Sequence, residues 1–249
     1  MARKSKETAV GSQNRTVTPN EAKSAIEHCI KLQRPLMMWG APGIGKSDIV
    51  KQVADQQNRE VIDIRLPLWE PTDIKGIPYY NSKENNMVWA SPAELPTDPK
   101  SNAIVFLDEL NSAAPAVQAA AYQLILNRRV GQYHLPEGVS IVAAGNRDND
   151  KGVTYRMPAP LANRFVHIEL RVDYEDWLGW ATTNHIHPDV VGYVTFAKQD
   201  LYDFDPKGSS RSFATPRSWS FVSELLSDDL PEKHTHRPRC RSGRRGTGR

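Results

Sequence analysis

Cysteine and long apolar runs are both scarce in this sequence. Its two cysteines, Cys29 and Cys240, are too few for a disulfide framework and lack the spacing of metal ligands, so we expect unreactive thiols. No uninterrupted apolar run approaches the roughly 18 to 20 residues of a membrane span, and the polar start lacks the apolar core of a signal peptide. These absences argue against a disulfide-stabilised secreted domain and against a membrane protein, and they predict a cytoplasmic one.

The net charge of +3 comes from one end of the chain. Residues 233–249 contain seven Lys or Arg and no Asp or Glu, so residues 1–232 carry a net charge of −4. A nucleic-acid-binding protein places its basic residues on the folded surface or on a defined arm. The tail could be such an arm, but no helical or aromatic spacing supports it, and we favour a truncated or frame-shifted end without a role.

Short apolar segments alternate with segments of helical periodicity over most of the chain. Helical spacing of apolar side chains predicts helices at 19–32, 47–57 and 115–127. The apolar segments predict strands, at 36–39, 61–66, 103–107, 139–144 and 166–170. Strands that alternate with helices predict an α/β fold, with a parallel sheet covered by helices on both faces.

The pattern divides the chain into four parts. Residues 1–17 are polar and aperiodic, which predicts a disordered leader, and residues 18–170 form the predicted α/β domain. Within it, residues 67–99 contain six prolines and predict an insertion with a hairpin. Residues 171–229 have helical periodicity, at 174–183, 190–198 and 217–226, and predict a small helical domain, and residues 230–249 are the basic tail, predicted to be disordered.

A phosphate-binding motif lies between the first predicted strand and the next helix. Backbone N–H groups of such a Gly-rich loop turn towards phosphates, the lysine contacts the outer phosphates and the hydroxyl ligates Mg²⁺. The context of strand, loop and helix is the one that this motif requires. The motif predicts binding of ATP and Mg²⁺, and its residues are Gly40, Ala41, Pro42, Gly43, Ile44, Gly45, Lys46 and Ser47.

Polar side chains follow two further predicted strands. Asp108 and Glu109 come directly after the apolar segment 103–107, and Asn146 follows the segment 139–144. Ligands of parallel sheets collect at the carboxyl ends of the strands. Asp108 is therefore predicted to hold Mg²⁺ together with Ser47, and Glu109 is predicted to orient the attacking water.

These motifs in this order resemble the AAA+ ATPases, and among them the MoxR-like branch. The resemblance covers residues 19 to about 226, and its specific parts are the phosphate loop and residues 105–111, 143–146, 160–165 and 214–217. It implies a sheet with the strand order 5-1-4-3-2 followed by a helical lid, with ATP between them. It also implies hydrolysis in a ring, expected to be a hexamer.

The resemblance assigns roles to three more side chains. Asn146 corresponds to the residue that helps to position the attacking water, Arg164 to the arginine finger supplied to a neighbouring subunit, and Arg217 to the lid arginine that contacts the nucleotide of its own subunit. Guanidinium groups suit these roles because they stabilise the charge that develops on the transferred phosphoryl group. Arg156 lies eight residues before Arg164 and is the alternative finger.

The insertion leaves alternatives open, and the lid departs from the resemblance in length. In the MoxR-like branch the insertion faces the ring pore, so its aromatic residues could bind a partner. Such residues also commonly pack an insertion against its own sheet. The aromatic residues concerned are Trp69, Tyr79, Tyr80 and Trp89. The segment 171–227 is shorter than the usual MoxR-like lid.

Three functions are compatible with these motifs. The first is an ATP-driven remodeller of a protein partner, which in the MoxR-like branch often carries a von Willebrand factor A domain. The second is a nucleic-acid motor or loader, and the third is an assembly module that binds ATP without turnover. The acidic charge of residues 1–232 favours a protein partner, and the presence of Glu109 argues against the third function.

Overall fold

The computed structural model describes residues 15–147, 150, 153–205 and 212–228, and these residues form an α/β unit followed by a group of helices. The strands are β1 Arg15–Val17, β2 Leu36–Trp39, β3 Val61–Arg65, β4 Ile77–Asn81, β5 Asn86–Ala90, β6 Ile104–Asp108, β7 Arg129–Val130, β8 Tyr133–His134, β9 Ser140–Gly145 and β10 Val166–Leu170. The α-helices are α1 Pro19–Lys31, α2 Lys46–Gln56, α3 Pro71–Lys75, α4 Pro115–Asn127, α5 Ala159–Ala162, α6 Tyr174–Thr183, α7 Pro188–Phe196 and α8 Pro216–Ser227.

A six-stranded sheet is the centre of the α/β unit. Its strand order is β1-β10-β2-β9-β6-β3, and every neighbouring pair is parallel. The five strands predicted from the sequence are β2, β3, β6, β9 and β10, and their order across the sheet is 5-1-4-3-2. The predicted fold class and strand order are therefore confirmed.

The sixth strand corrects the predicted disordered leader. Arg15–Val17 pair with β10 in parallel register, with Val17 opposite Leu170. Val17 is buried in the core, and this burial together with the strand pairing orders a segment that has no periodicity of its own. The rest of the leader, residues 1–14, lies outside the described residues, and so does the basic tail over 230–249.

Each face of the sheet packs against its own helices. Side chains of β2, β6 and β9 alternate between the two faces, so Met37 and Leu107 pack with α4 whereas Met38 and Phe106 pack with α1 and α2. Strands β6 and β9 are buried along their whole length because helices cover both faces. This arrangement fixes the carboxyl ends of β2, β6 and β9 relative to one another.

The insertion contains the predicted hairpin. β4 and β5 pair antiparallel, with Tyr79 opposite Val88. The two tyrosines, Tyr79 and Tyr80, are exposed, whereas Trp69 packs against the core on the α4 side of the sheet. The packing alternative is therefore confirmed for Trp69, and the contact of the exposed tyrosines with a partner stays a prediction.

The helices that follow β10 have a small core of their own. Trp177 and Ala181 of α6 pack with Val190 and Val194 of α7 and with Leu201. This group is attached to the α/β unit at α1, where the backbone N–H of Asn20 donates to Asp176 Oδ2 at 2.8 Å and the Asn20 amide donates to Asp176 Oδ1 at 2.6 Å. This group, called the lid below, lies against the start of α2, with which it lines one cavity.

Cys29 is a buried free thiol of α1, and burial raises its pKa, as expected for an unreactive cysteine. Cys240 lies outside the described residues. Within the described ranges, none of the helices has both the length and the apolar character needed to cross a membrane.

Candidate active site

The loop between β2 and α2 contains the predicted phosphate-binding motif. β2 ends at Trp39 and α2 begins at Lys46, so the loop lies at the carboxyl edge of the sheet. Gly43 and Gly45 have φ angles of 76° and 92°, at which a residue with a side chain would be strained. No side chain caps α2, so the N–H groups of its first turn are available to an anion.

Lys46 is the centre of the site. Its ammonium group donates to the carbonyl oxygens of Gly40 at 2.6 Å and Ala41 at 3.0 Å, and to Asn146 Oδ1 at 3.3 Å. Burial lowers the pKa of Lys46 to about 8, although the nearby charges of Asp108, Asp150 and Glu109 oppose this shift. None of the described carboxylates forms an ion pair with Lys46, and a buried ammonium in such surroundings is electrostatically suited to phosphate oxygens.

The acidic pair lies at the end of β6. Asp108 is the last residue of the strand rather than the first after it, and its side chain is buried. Asp108 Oδ1 accepts the backbone N–H of Glu109 at 2.9 Å. Glu109 has φ 55° and ψ 37°, a left-handed conformation that turns the chain sharply away from the strand.

Asn146 is held by a second asparagine that the sequence motifs include without a role. The side chain of Asn111 donates to the Asn146 carbonyl at 2.8 Å and accepts the Asn146 N–H at 3.1 Å. Asn111 is itself buried, so both hydrogen bonds are shielded from water. Asn111 therefore positions the backbone from which the Asn146 side chain reaches Lys46.

An ion-pair cluster next to Asn146 was missed by sequence reasoning. The Arg147 guanidinium donates to Asp150 Oδ1 at 3.1 Å and to Glu169 Oε1 at 3.2 Å, and Asp150 is buried. The only sequence signal is the position of Arg147 directly after the strand-ending Asn146. The two carboxylates hold the Arg147 side chain next to the strand-ending Asn146.

The lid reaches the phosphate loop through the start of α8. The backbone N–H of Arg217 donates to the Gly43 carbonyl at 3.2 Å, and Thr215, the buried cap of α8, lies directly over Gly43. Arg217 also lines a cavity of about 70 Å³ that Ile44 and Gly45 share with Trp177 of α6. Arg217 is thus on the same side of the molecule as Lys46, as its predicted role requires.

Arg164 and Arg156 lie at different edges of the sheet. Arg164 precedes β10 by two residues and is exposed at the amino edge, opposite the phosphate loop. β10 has five residues, a length of about 16 Å, so Arg164 is roughly one strand length from its own loop. Arg156 is also exposed, but it follows Tyr155, whose N–H donates to the Asn111 carbonyl at 2.7 Å at the carboxyl edge.

The comparison with protein families agrees with this geometry. The family described as "ATPase family associated with various cellular activities (AAA)" matches residues 35–167, which is more than half of the chain. The chain belongs to the AAA family of ATPases. Its match begins just before β2 and ends within β10, so it includes the phosphate loop, the acidic pair and Asn146.

Individual relatives of this AAA family member are distant. Midasin of Giardia intestinalis is 27% identical over 186 residues, which are 71% of this chain but only 4% of midasin. The structure of NtrX from Brucella abortus has a TM-score of 0.51 at 14% identity and covers 85% of this chain and 50% of that one. A Cytophaga hutchinsonii protein described as a candidate ATPase has a TM-score of 0.48 at 18% identity, covering 85% of this chain and 59% of that one.

AAA family membership implies nucleotide binding, and the residues of the site fit ATP and Mg²⁺. The uncapped start of α2 and the buried Lys46 suit the phosphates. Among the described residues, no group of three or more His, Cys, Asp or Glu could hold a metal ion. Ser47 and Asp108 would supply two oxygen ligands, which suits Mg²⁺ because this ion usually keeps several waters and is otherwise bound by substrate phosphates.

The contact between lid and phosphate loop can be tested at Gly43. A Cβ on Gly43 would lie 2.8 Å from Thr215 Oγ1, whereas a Cβ on Gly45 would have no heavy atom within 4 Å. Gly45→Ala should therefore cost only the backbone strain of about 1 to 2 kcal/mol, and Gly43→Ala should lower the free energy of unfolding further. Urea unfolding of the nucleotide-free protein measures both.

A second substitution identifies the source of the difference. Thr215→Gly removes the three heavy atoms nearest to the new Cβ, and glycine is tolerated at a helix cap. In a Thr215→Gly background, Gly43→Ala should therefore cost about as much stability as Gly45→Ala costs in the wild type. Equal losses for the two single variants would show that Thr215 does not restrict the loop.

Proposed function

We propose that this AAA family member is a Mg²⁺-dependent ATPase of the MoxR-like branch that assembles into a ring and remodels or assembles a protein partner. The observation that supports hydrolysis most directly is the position of Lys46. Its ammonium group is hydrogen-bonded to the phosphate loop and to Asn146, and it lies within the electrostatic reach of Asp108 and Glu109. The buried Lys46 ammonium thus interacts with the phosphate loop, with Asn146 and with the acidic pair.

The side chains divide the proposed chemistry among them. Lys46 contacts the outer phosphates as a point charge, while Ser47 and Asp108 would hold Mg²⁺, which neutralises charge on the phosphates. Glu109 orients the attacking water by accepting a hydrogen bond from it, and Asn146 provides a further polar contact at the same edge. Arg217 adds positive charge from the lid, close enough to Lys46 to lower the pKa of its ammonium group.

A ring is proposed because the predicted finger cannot serve its own subunit. Arg164 lies at the amino edge of the sheet, while Lys46 and Asp108 lie at the carboxyl edge. An exposed guanidinium in that position can stabilise phosphoryl transfer only in a neighbouring subunit. A closed ring, expected to be a hexamer, gives every site such a neighbour.

A protein partner is favoured over nucleic acid by charge and by exposed surface. Residues 1–232 carry a net charge of −4, which would repel a phosphate backbone. The hairpin exposes Tyr79 and Tyr80, and exposed aromatic side chains are common anchors of protein interfaces. A protein with a von Willebrand factor A domain is the first partner class to test, because the MoxR-like resemblance implies it.

A chain that ends at Asp229 should hydrolyse ATP at the same rate with and without nucleic acid, because the excess of basic residues lies in the removed part. The measurement is phosphate release with single- and double-stranded DNA at increasing salt. Stimulation of the full chain alone would assign the effect to the tail. Salt-sensitive stimulation of the shortened protein would instead support a nucleic-acid motor.

A further inference from the structure

The sheet has a free edge at β3. β3 is the last strand in the order β1-β10-β2-β9-β6-β3, and within the part of the chain that the structure describes it pairs only with β6. The Glu60 carbonyl accepts the N–H of Ile104, so alternate residues from Glu60 onwards direct their backbone groups towards β6. The backbone groups of Val61, Asp63 and Arg65 consequently point to the other side, where a further strand could pair with them.

A groove of about 760 Å³ runs along this edge. One wall is formed by residues 60–63, and the other is formed by residues 93–98 and 100–102. The second wall is fixed in place because Leu95 is buried in the core and the Tyr133 hydroxyl donates to the Pro96 carbonyl at 2.6 Å. Burial raises the pKa of Tyr133 to about 12, so the donor keeps its proton at neutral pH. The groove is preformed, which lowers the entropic cost of binding.

The groove is acidic. Its lining residues include four acids and one lysine, which are Glu60, Asp63, Glu94, Asp98 and Lys100. This charge disfavours two other occupants. The free edge of a second copy of this chain has the same acidic lining and would be repelled, and so would the phosphates of a nucleic acid.

We propose that the groove binds an extended, Lys- or Arg-containing segment of a partner protein, which adds to the sheet as a strand beside β3. Main-chain hydrogen bonds to Val61, Asp63 and Arg65 supply affinity, and the acidic side chains select basic residues at alternate positions of the segment. β3 has five residues, so the bound segment matches it with about five residues of its own. Binding needs only the folded chain and is independent of ATP turnover.

The experiment uses the full chain and a fluorescein-labelled peptide of eight residues in which Val alternates with Lys or Arg. Fluorescence anisotropy should detect binding with and without ATP, and an otherwise identical peptide with Glu at the basic positions should not bind. Glu60→Lys with Glu94→Lys should weaken binding about tenfold or more, since two attractive pairs become repulsive. The matched control is Glu84→Lys with Glu224→Lys, two exposed acids on the hairpin turn and on α8, which should leave binding unchanged.

The strand geometry is tested by N-methylation of the peptide. Methyl groups on the amides that face β3 should abolish binding, whereas methyl groups on the other alternate set should preserve it. Equal binding of both methylated peptides would overturn strand addition, even if the charge reversals weaken binding. Tighter peptide binding after Arg244→Ala with Arg245→Ala would identify the chain's own tail as a competitor and overturn the assignment to a partner protein.

Discussion

An Arg164→Ala protein should bind ATP nearly as well as the wild type but hydrolyse it on the order of 10³-fold more slowly. The expected loss is large because an arginine finger stabilises the charge that develops only in the transition state. Binding should be nearly unaffected because Arg164 lies at the sheet edge opposite its own phosphate loop. A fluorescent ATP analogue measures binding, and phosphate release measures turnover.

The defect should be complementable if Arg164 acts in a neighbouring subunit. Mixing Arg164→Ala with Glu109→Gln subunits creates interfaces in which an intact Glu109 faces an intact Arg164, so part of the activity should return. Mixed rings that assemble but stay inactive would contradict the proposed role in trans. The matched control is Arg156→Ala, and complementation by that variant instead would identify Arg156 as the finger.

Lys46→Ala and Glu109→Gln should fail at different steps. Lys46→Ala removes the buried ammonium that is hydrogen-bonded to the phosphate loop and should abolish nucleotide binding. Glu109→Gln should keep ATP bound but lower turnover by about 10² to 10⁴-fold, the usual contribution of a catalytic base. The same binding and phosphate-release assays separate the two effects.

The outcome for Glu109→Gln also tests whether Glu109 acts in turnover rather than in ATP binding. Glu84→Gln, on the exposed hairpin turn, removes an equal charge away from the site and should behave like the wild type. Equal loss of ATP binding in Lys46→Ala and Glu109→Gln would contradict the roles assigned to them. Unchanged turnover in Glu109→Gln would require another base.

The sequence predicted the elements whose pattern is local and long enough to show a period. α4 has the predicted bounds, and α1 begins at Pro19 as predicted, after a capping box of Thr18 and Glu21. β1 and the two-residue strands β7 and β8 were not predicted, because segments of two or three residues have no measurable periodicity. These short segments become strands because they pair with other strands, β1 with β10 and β7 with β8, and this pairing forms only when the chain folds.

In the site, too, the features with a local sequence motif were predicted and those that depend on distant contacts were not. The phosphate loop, the acidic pair and Asn146 lie in recognisable motifs at strand ends, and the fold brings Lys46 and Asn146 together. The support from Asn111 could not be predicted because it joins residues 35 positions apart, with geometry set by the packing of β6 against β9. Asp150 gave no signal either, since an acid in a loop is usually solvated rather than buried.

At Glu109, backbone stability and the proposed catalysis favour different residues. For a residue with a side chain this conformation costs about 1 kcal/mol or more, and glycine would relieve the cost. Folding alone would therefore favour glycine there, whereas the proposed chemistry needs the carboxylate. Directed evolution for heat resistance without an activity screen would therefore select Glu109→Gly. The selected protein would be more stable but would lack its proposed catalytic base.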